Sequence, residues 1–334
     1  VTAWGAAILG CAGTELSGGE RAFFAQSNPF GFILFARNIE TANQLRRLTA
    51  DLREAVGWNA PVFIDQEGGR VQRLRPPMAR EWLPPLDDIA RLGPDAARGM
   101  VLRYAMISHE LRGYGIDGNC VPTLDVARPE THAILRNRLY GDTPDAVVDI
   151  GKAVLKACLD GGVLPVIKHI PGHGMATLDS HLDLPRVSAP VETLESVDFA
   201  PFRAFADAPL AMTAHLVYEA LDDAPATISP TMIARIREDI GFGGLLMTDD
   251  ISMEALSGTV PERAEAALGA GCDIVLHCNG KLDEMTPLME RVGVFGAAAQ
   301  ERAEAALEAR RDPETVDIEA LEAEFEALIN SPDE

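Results

Sequence analysis

Short apolar runs alternate along the chain with longer stretches in which apolar residues recur at helical spacing, the signature of strand–helix units wound on a parallel sheet. Eight runs stand out: Trp4–Gly10, Phe30–Phe35, Pro61–Ile64, Gly118–Leu124, Val163–Ile167, Leu210–Thr213, Gly244–Thr248 and Cys272–His277. The stretches between them carry helix punctuation. Ser17 with Glu20 and Thr41 with Gln44 have capping-box spacing, in which each side chain satisfies the other's free backbone N–H. After Thr41, Leu45, Leu48, Leu52 and Val56 share one helical face, and Gly57 supplies a left-handed stop. Thr143-Pro144 and Ser229-Pro230 each pair an N-cap with a proline at the first helical position.

Eight strands, each followed by a helix, make an α/β fold of the TIM-barrel type, a (β/α)8 barrel whose functional groups gather at the C-terminal ends of the strands. Residues 1–334 read as a single barrel domain. The Pro-rich stretch Arg75–Pro94 reads as a long loop, and the Ala/Glu/Arg-rich tail at about 296–330, broken at Asp312-Pro313, as two outer helices.

Composition narrows the partners. Lys+Arg of 29 against Asp+Glu of 51 gives a net charge of −22, a field that repels polyanions, so nucleic acid is not expected. Five cysteines without a C-x-x-C pair fit neither a disulfide framework nor a thiolate zinc site. Neither a membrane-span window nor a basic-then-apolar leader pattern is present. The expectation is a monomer in the cytoplasm that acts on a small molecule, away from membranes.

The strand ends test the barrel reading. Asp65, Asp125, Lys168-His169, His215 and Asp249-Asp250 each follow an apolar run. One such residue is an ordinary cap or loop charge; five at the same edge point to a site. Three of the seven histidines fall in Lys168-His169-Ile170-Pro171-Gly172-His173-Gly174 and the following Asp179-Ser180-His181. His169 and His173 have the i, i+4 spacing of a zincin, but Pro171 and Gly172 break the helix and the general-base Glu is missing, so no metal or other cofactor is expected. Asp179 and His181 form an Asp-x-His pair, in which a carboxylate can orient an imidazole for proton transfer; taken alone, the pair reads first as a surface loop with a local Asp–His contact. In Asp65-Gln66-Glu67-Gly68-Gly69-Arg70, two acids and a guanidinium adjoin a Gly-Gly turn that permits close backbone approach to a ligand. Arg73, Arg75 and Arg80 make that neighbourhood basic, which suits an anionic group on a substrate, although scattered surface arginines are the more common outcome of such spacing.

Lys168–Gly174 with Asp179-Ser180-His181, together with Asp65–Arg70 and Met247-Thr248-Asp249-Asp250, resembles glycoside hydrolase family 3 over nearly the whole chain. Within it the chain is most similar to the bacterial β-N-acetylglucosaminidases of peptidoglycan recycling. The resemblance implies retaining hydrolysis with Asp249 as nucleophile, His181 as general acid/base and Asp179 as its partner. It also implies that Asp65, Lys168 and His169 hold the sugar hydroxyls, with Arg70 and Arg138 as further substrate-binding residues. Arg138 lies in Leu135-Arg136-Asn137-Arg138-Leu139-Tyr140-Gly141, where the family more often reads I-G-D-R-S-F-G, so Arg136 and Asn137 depart from the pattern. His215 and His173 are expected to hold structure near the site. The alternatives are a metal-dependent hydrolase on the same barrel using His169, His173 and an acid, another family 3 β-glycosidase, and a non-catalytic sugar-binding barrel.

Overall fold

Each of the eight apolar runs overlaps a parallel strand, and the computed structural model, which describes residues 3–176 and 184–330, closes them into a barrel. The strands are β1 (Gly5–Gly10), β2 (Pro29–Leu34), β3 (Val62–Ile64), β4 (Gly118–Asn119), β5 (Leu164–Ile170), β6 (Leu210–Thr213), β7 (Leu245–Asp250) and β8 (Ile274–His277). Each pairs with its neighbour in chain order and β8 returns to β1, so no barrel edge is left open.

The runs look continuous in sequence because both of their faces are buried. Ile8, Phe63, Val166, Met212, Met247 and Leu276 fill the barrel interior. Their chain neighbours Leu9, Ile64, Ile167, Ala211, Leu246 and Val275 pack outward under the helices. The N-terminal end is closed by Phe295 and by Ala303 and Ala306 of the helix Ala297–Glu308, which join the inner cluster. Two ion pairs fasten that helix: Arg302 to Asp273 at 2.8 Å, and Arg310, just beyond its end, to Asp117 at 2.9 Å. Both carboxylates also accept a strand N–H, from Leu246 and Val62 respectively, each at 2.8 Å. The bottom is therefore plugged, and the C-terminal mouth is left for a site.

Several boundaries differ from expectation. β4 stops at Asn119 rather than Leu124; Pro122 has no N–H to give the ladder, though Thr123 bridges to Lys168 beyond it. β5 and β7 run on through Ile170 and Asp250, so Lys168, His169, Asp249 and Asp250 belong to strands rather than follow them. The Arg75–Pro94 stretch is not all loop. Pro85–Leu92 is a helix, with Pro85 at its first position, Asp87 and Asp88 in the first turn and Arg91 in the last. Prolines at a helix start are favourable, and here they disguise the helix they begin.

The Ser17 box forms with both bonds. At Thr41 only half forms: Thr41 Oγ1 accepts the Gln44 N–H at 3.2 Å, but Gln44 Oε1 takes the N–H of Glu40 instead. Gly57 has φ of 73°, and Thr143 and Ser229 cap their helices. The tail forms Ala297–Glu308 and Ile318–Asn330, as its spacing predicts.

Candidate active site

The period-2 alternation that builds the barrel core also aims the chemistry. Phe63, Val166 and Met247 point inward from β3, β5 and β7, and two residues further on stand Asp65, Lys168 and Asp249. These three, with Arg70, Arg138 and His169, line a cavity of about 300 Å³ at the C-terminal mouth. Six of the eight sequence-predicted site residues thus share one cavity. Asp179 and His181 lie outside the described residues.

Asp65 and Lys168 face each other with Nζ–Oδ1 at 3.2 Å, and Arg73 reaches the other Asp65 oxygen at 3.1 Å. Burial alone would raise the Asp65 carboxyl, but Lys168, Arg73 and Arg138 outweigh it and hold the group far below the usual carboxylate range. Burial likewise pulls the Lys168 ammonium down, and Glu67 and Asp65 more than restore it. An ionised acceptor and a fixed cation therefore stand side by side without bulk water between them.

Glu67 is 1% exposed and takes the guanidinium of Arg138 in a fork, Nε and Nη2 both at 2.8 Å, while Lys168 Nζ stands 2.6 Å from Oε1. Its carboxyl, which burial would raise, is held at about 2 by Arg138 and Lys168. Its backbone carbonyl accepts from Arg103, a fully buried residue of the helix Ala96–Gly113. The neighbouring Gly68, at φ 111°, has no room for a side chain: a Cβ there would stand 2.0 Å from Arg103 Nη2. The close approach expected of this Gly-Gly turn is thus to the protein's own Arg103.

His169 is positioned by Asp125, which is fully buried. Asp125 Oδ2 is 2.8 Å from His169 Nδ1, and Oδ1 accepts the backbone N–H groups of His169 and His173. That leaves His169 Nε2 for the cavity. His173 lines the same cavity, but burial and then the neighbouring His169 pull its pKa down to about 4, so its ring is neutral at pH 7. His215 is buried with Nδ1 on Thr227 Oγ1 at 2.7 Å and Nε2 on the Asp250 carbonyl at 3.1 Å, a structural placement. The two adjacent acids of β7 differ in use. Asp250 spends its carboxylate on Ser252 N, Ser252 Oγ and Cys278 N. Asp249 keeps the inward parity of Leu245 and Met247.

Arg73, Arg75 and Arg80, close in sequence, separate in the fold. Arg73 lines the cavity, Arg75 pairs with Glu81, and Arg80 pairs with Glu326 of the C-terminal helix. Arg70 lines the cavity and donates to the Ile134 carbonyl at 2.9 Å. The departure around Arg138 leaves that residue in place, because Arg136 turns away to the carbonyls of Arg128 and Pro129. His132, a residue the sequence did not single out, lines the cavity, with Nδ1 accepting the Ile134 N–H at 3.3 Å. Glu67 and Asp125 were visible as strand-end acids, but nothing local marks them as holders of other side chains. Among the described residues no three His, Cys, Asp or Glu side chains stand together as metal ligands. All five cysteines are unpaired, and no helix among the described residues is long and apolar enough to cross a membrane.

Comparison with known proteins gives consistent results. The model of a family described as glycosyl hydrolase family 3 N terminal domain matches residues 13–309. A β-hexosaminidase of Alkalilimnicola ehrlichii is 38% identical over 284 residues, which span 82% of this chain and 81% of that protein. Another, of Nitrosomonas eutropha, is 33% identical over 341 residues, spanning 99% and 95%. Among solved structures, NagZ from Neisseria gonorrhoeae superimposes with a TM-score of 0.83 at 29% identity, covering 99% of each chain. A glycoside hydrolase family 3 β-N-acetylglucosaminidase from Paenibacillus superimposes at 0.86 with 26% identity, over 97% of this chain and 67% of that one.

Proposed function

This chain belongs to glycosyl hydrolase family 3, and from that premise we propose that it is a retaining exo-β-N-acetylglucosaminidase, removing terminal β-linked N-acetylglucosamine from muropeptide fragments in cytoplasmic peptidoglycan recycling. At the coarser level it is a glycoside hydrolase of the β-hexosaminidase type, in keeping with its relatives. The observation that carries the finer reading is the inward parity of Asp65, Lys168 and Asp249 in one cavity. An oxocarbenium-like transition state needs negative charge beneath the anomeric carbon and fixed donors and acceptors around the ring hydroxyls.

In the first displacement Asp249 attacks the anomeric carbon, and His181, oriented by Asp179, protonates the departing glycosidic oxygen. In the second, His181 takes a proton from water as that water attacks the glycosyl-Asp249 ester, and the configuration is retained. Asp65 accepts from sugar hydroxyls because its cations keep it ionised. Lys168, Arg138, Arg70 and His169 supply the complementary contacts. An imidazole acid/base spares an anionic leaving group the repulsion of a second carboxylate. The net charge of −22 supports a small substrate over nucleic acid, and the monomer as the acting form belongs to the same reading.

The test is covalent labelling. A fluorinated N-acetylglucosaminide analogue with a good leaving group is expected to modify the protein stoichiometrically, with peptide mapping placing the label on Asp249. Inversion at the anomeric carbon, or a label on another residue, overturns the mechanism. In a companion measurement, His181→Ala should depress hydrolysis strongly for a poor leaving group and far less for a stable phenolate, because only the former needs a proton.

A further inference from the structure

We propose that Glu67 is a positioning residue for this reaction: one buried carboxylate fixes Arg138 and Lys168 in the attitude from which they grip the sugar, without itself touching it. The inference rests on the reading that Arg138 and Lys168 are sugar-binding residues. Both line the cavity, whereas Glu67 does not. Glu67 holds them by three charge-assisted contacts, the 2.8 Å fork to Arg138 and the 2.6 Å contact to Lys168. The fork uses Arg138 Nε and one Nη2 hydrogen, which leaves the Nη1 hydrogens for a ligand. Lys168 spends one donor on Glu67 and one on Asp65, and keeps its third.

Glu67 is itself anchored. Its carbonyl is gripped by Arg103, which is tied to Asp88 and to the Leu83 carbonyl, and by Tyr104 Oη at 3.3 Å. The helix Ala96–Gly113 thus anchors the point where two cations from distant parts of the chain meet. Charge balance demands the same group. Three cations, Arg73, Arg138 and Lys168, surround Asp65 and Glu67; without Glu67, three would share one carboxylate in a nearly dry site.

The contacts Glu67 organises are made to the sugar in ground and transition state alike, so their loss belongs in KM. For an aryl β-N-acetylglucosaminide, Glu67→Gln is expected to raise KM roughly tenfold to a hundredfold while kcat stays within about threefold. A second signature is specific to charge. Lys168 is faced by Glu67 and Asp65, which keep it protonated, by Arg138, which opposes them, and by Cys120. With Glu67 neutral, burial and Arg138 act against Asp65 alone, because burial pushes the Cys120 thiol up and keeps it neutral. The variant's KM should then climb as pH rises through about 8 to 10, a climb absent in the wild type. KM and its pH profile within twofold of wild type in a folded Glu67→Gln protein overturn the proposal.

Glu67→Asp keeps the charge and withdraws it by one methylene; it is expected to raise KM without the alkaline climb, and an unchanged KM overturns the proposal even where the Gln variant does not fold. A crystal structure of the wild type with N-acetylglucosamine needs no variant: Arg138 and Lys168 should bridge Glu67 and the sugar, and direct contact of Glu67 with the sugar sinks the positioning role. Failure of the wild type to cleave the aryl N-acetylglucosaminide would instead count against the proposed function.

Discussion

Asp249 and Asp250 are adjacent, identical in type and both on β7, yet their surroundings assign them different work. Asp250 is committed to Ser252 and Cys278 and so shapes the turn after the strand. Asp249 continues the inward-facing series of Leu245 and Met247 into the cavity. Asp249→Ala should therefore lower kcat/KM by about a thousandfold or more, roughly 4 kcal/mol of transition-state stabilisation. Asp250→Ala should cost less in rate and show itself in a lower melting temperature. Steady-state kinetics and thermal unfolding of the two variants side by side check the division; equal rate losses with equal melting temperatures would contradict it. In the sequence only the family resemblance separates Asp249 from Asp250, whereas Glu67 and Asp125 act through partners 71 and 44 positions away.

Among the elements, the helix Ala297–Glu308 closes the barrel end opposite the site. Asp273 and Asp117 receive Arg302 of that helix and Arg310 just beyond it, and each also accepts a strand N–H, so the two carboxylates tie the barrel strands to this end of the chain. Asp273→Ala would leave Arg237 and Arg302 without their shared acceptor and the Leu246 N–H unpaired. Removing one partner of a buried ion-pair group costs about 3–5 kcal/mol, and this variant should fall in that range by urea unfolding. Activity of the folded fraction should be preserved, because the mouth of the barrel is untouched. Element boundaries were legible wherever a local signal was unambiguous, as at Ser17, Thr143, Ser229 and Gly57. They misled where a breaker residue also initiates, as at Pro84-Pro85.

For the whole molecule, buried ionisable groups set the pH range of stability. His173 is held neutral down to about pH 4, whereas an exposed histidine of the unfolded chain gains its proton near 6.5. Between those values the unfolded state binds more protons, so stability is complete above about pH 6.5 and declines as pH falls toward 4. Glu67, held at about 2, adds stability that is present above the unfolded value near 4.3 and is lost as pH falls toward 2. Glu110 acts in the opposite sense: burial raises it to about 7, so its contribution declines as pH rises from near 4.3 to 7. Melting temperature against pH should flatten between 4 and 6.5 in His173→Gln, while Glu110→Gln should gain relative to wild type at pH 8 and not at pH 4. A His173→Gln profile parallel to wild type would refute the first assignment.

The sequence by itself determined the barrel, because eight apolar runs buried on both faces and separated by capped amphipathic helices leave few other ways to remove that surface from water. It also marked the strand ends that carry ionisable residues, since a charged or imidazole side chain after an apolar run is read without knowing its neighbours. Only the tertiary structure decided which of the charges at those ends face one another. Whether Arg73 or Arg80 serves the cavity, whether Gly68 makes way for a ligand or for Arg103, and that Glu67 joins Arg138 to Lys168 depend on closing the barrel. Apart from Arg73 with Asp65, those pairings link residues tens to hundreds of positions apart, and the energy of a buried charge lies in its partners rather than in its place along the chain.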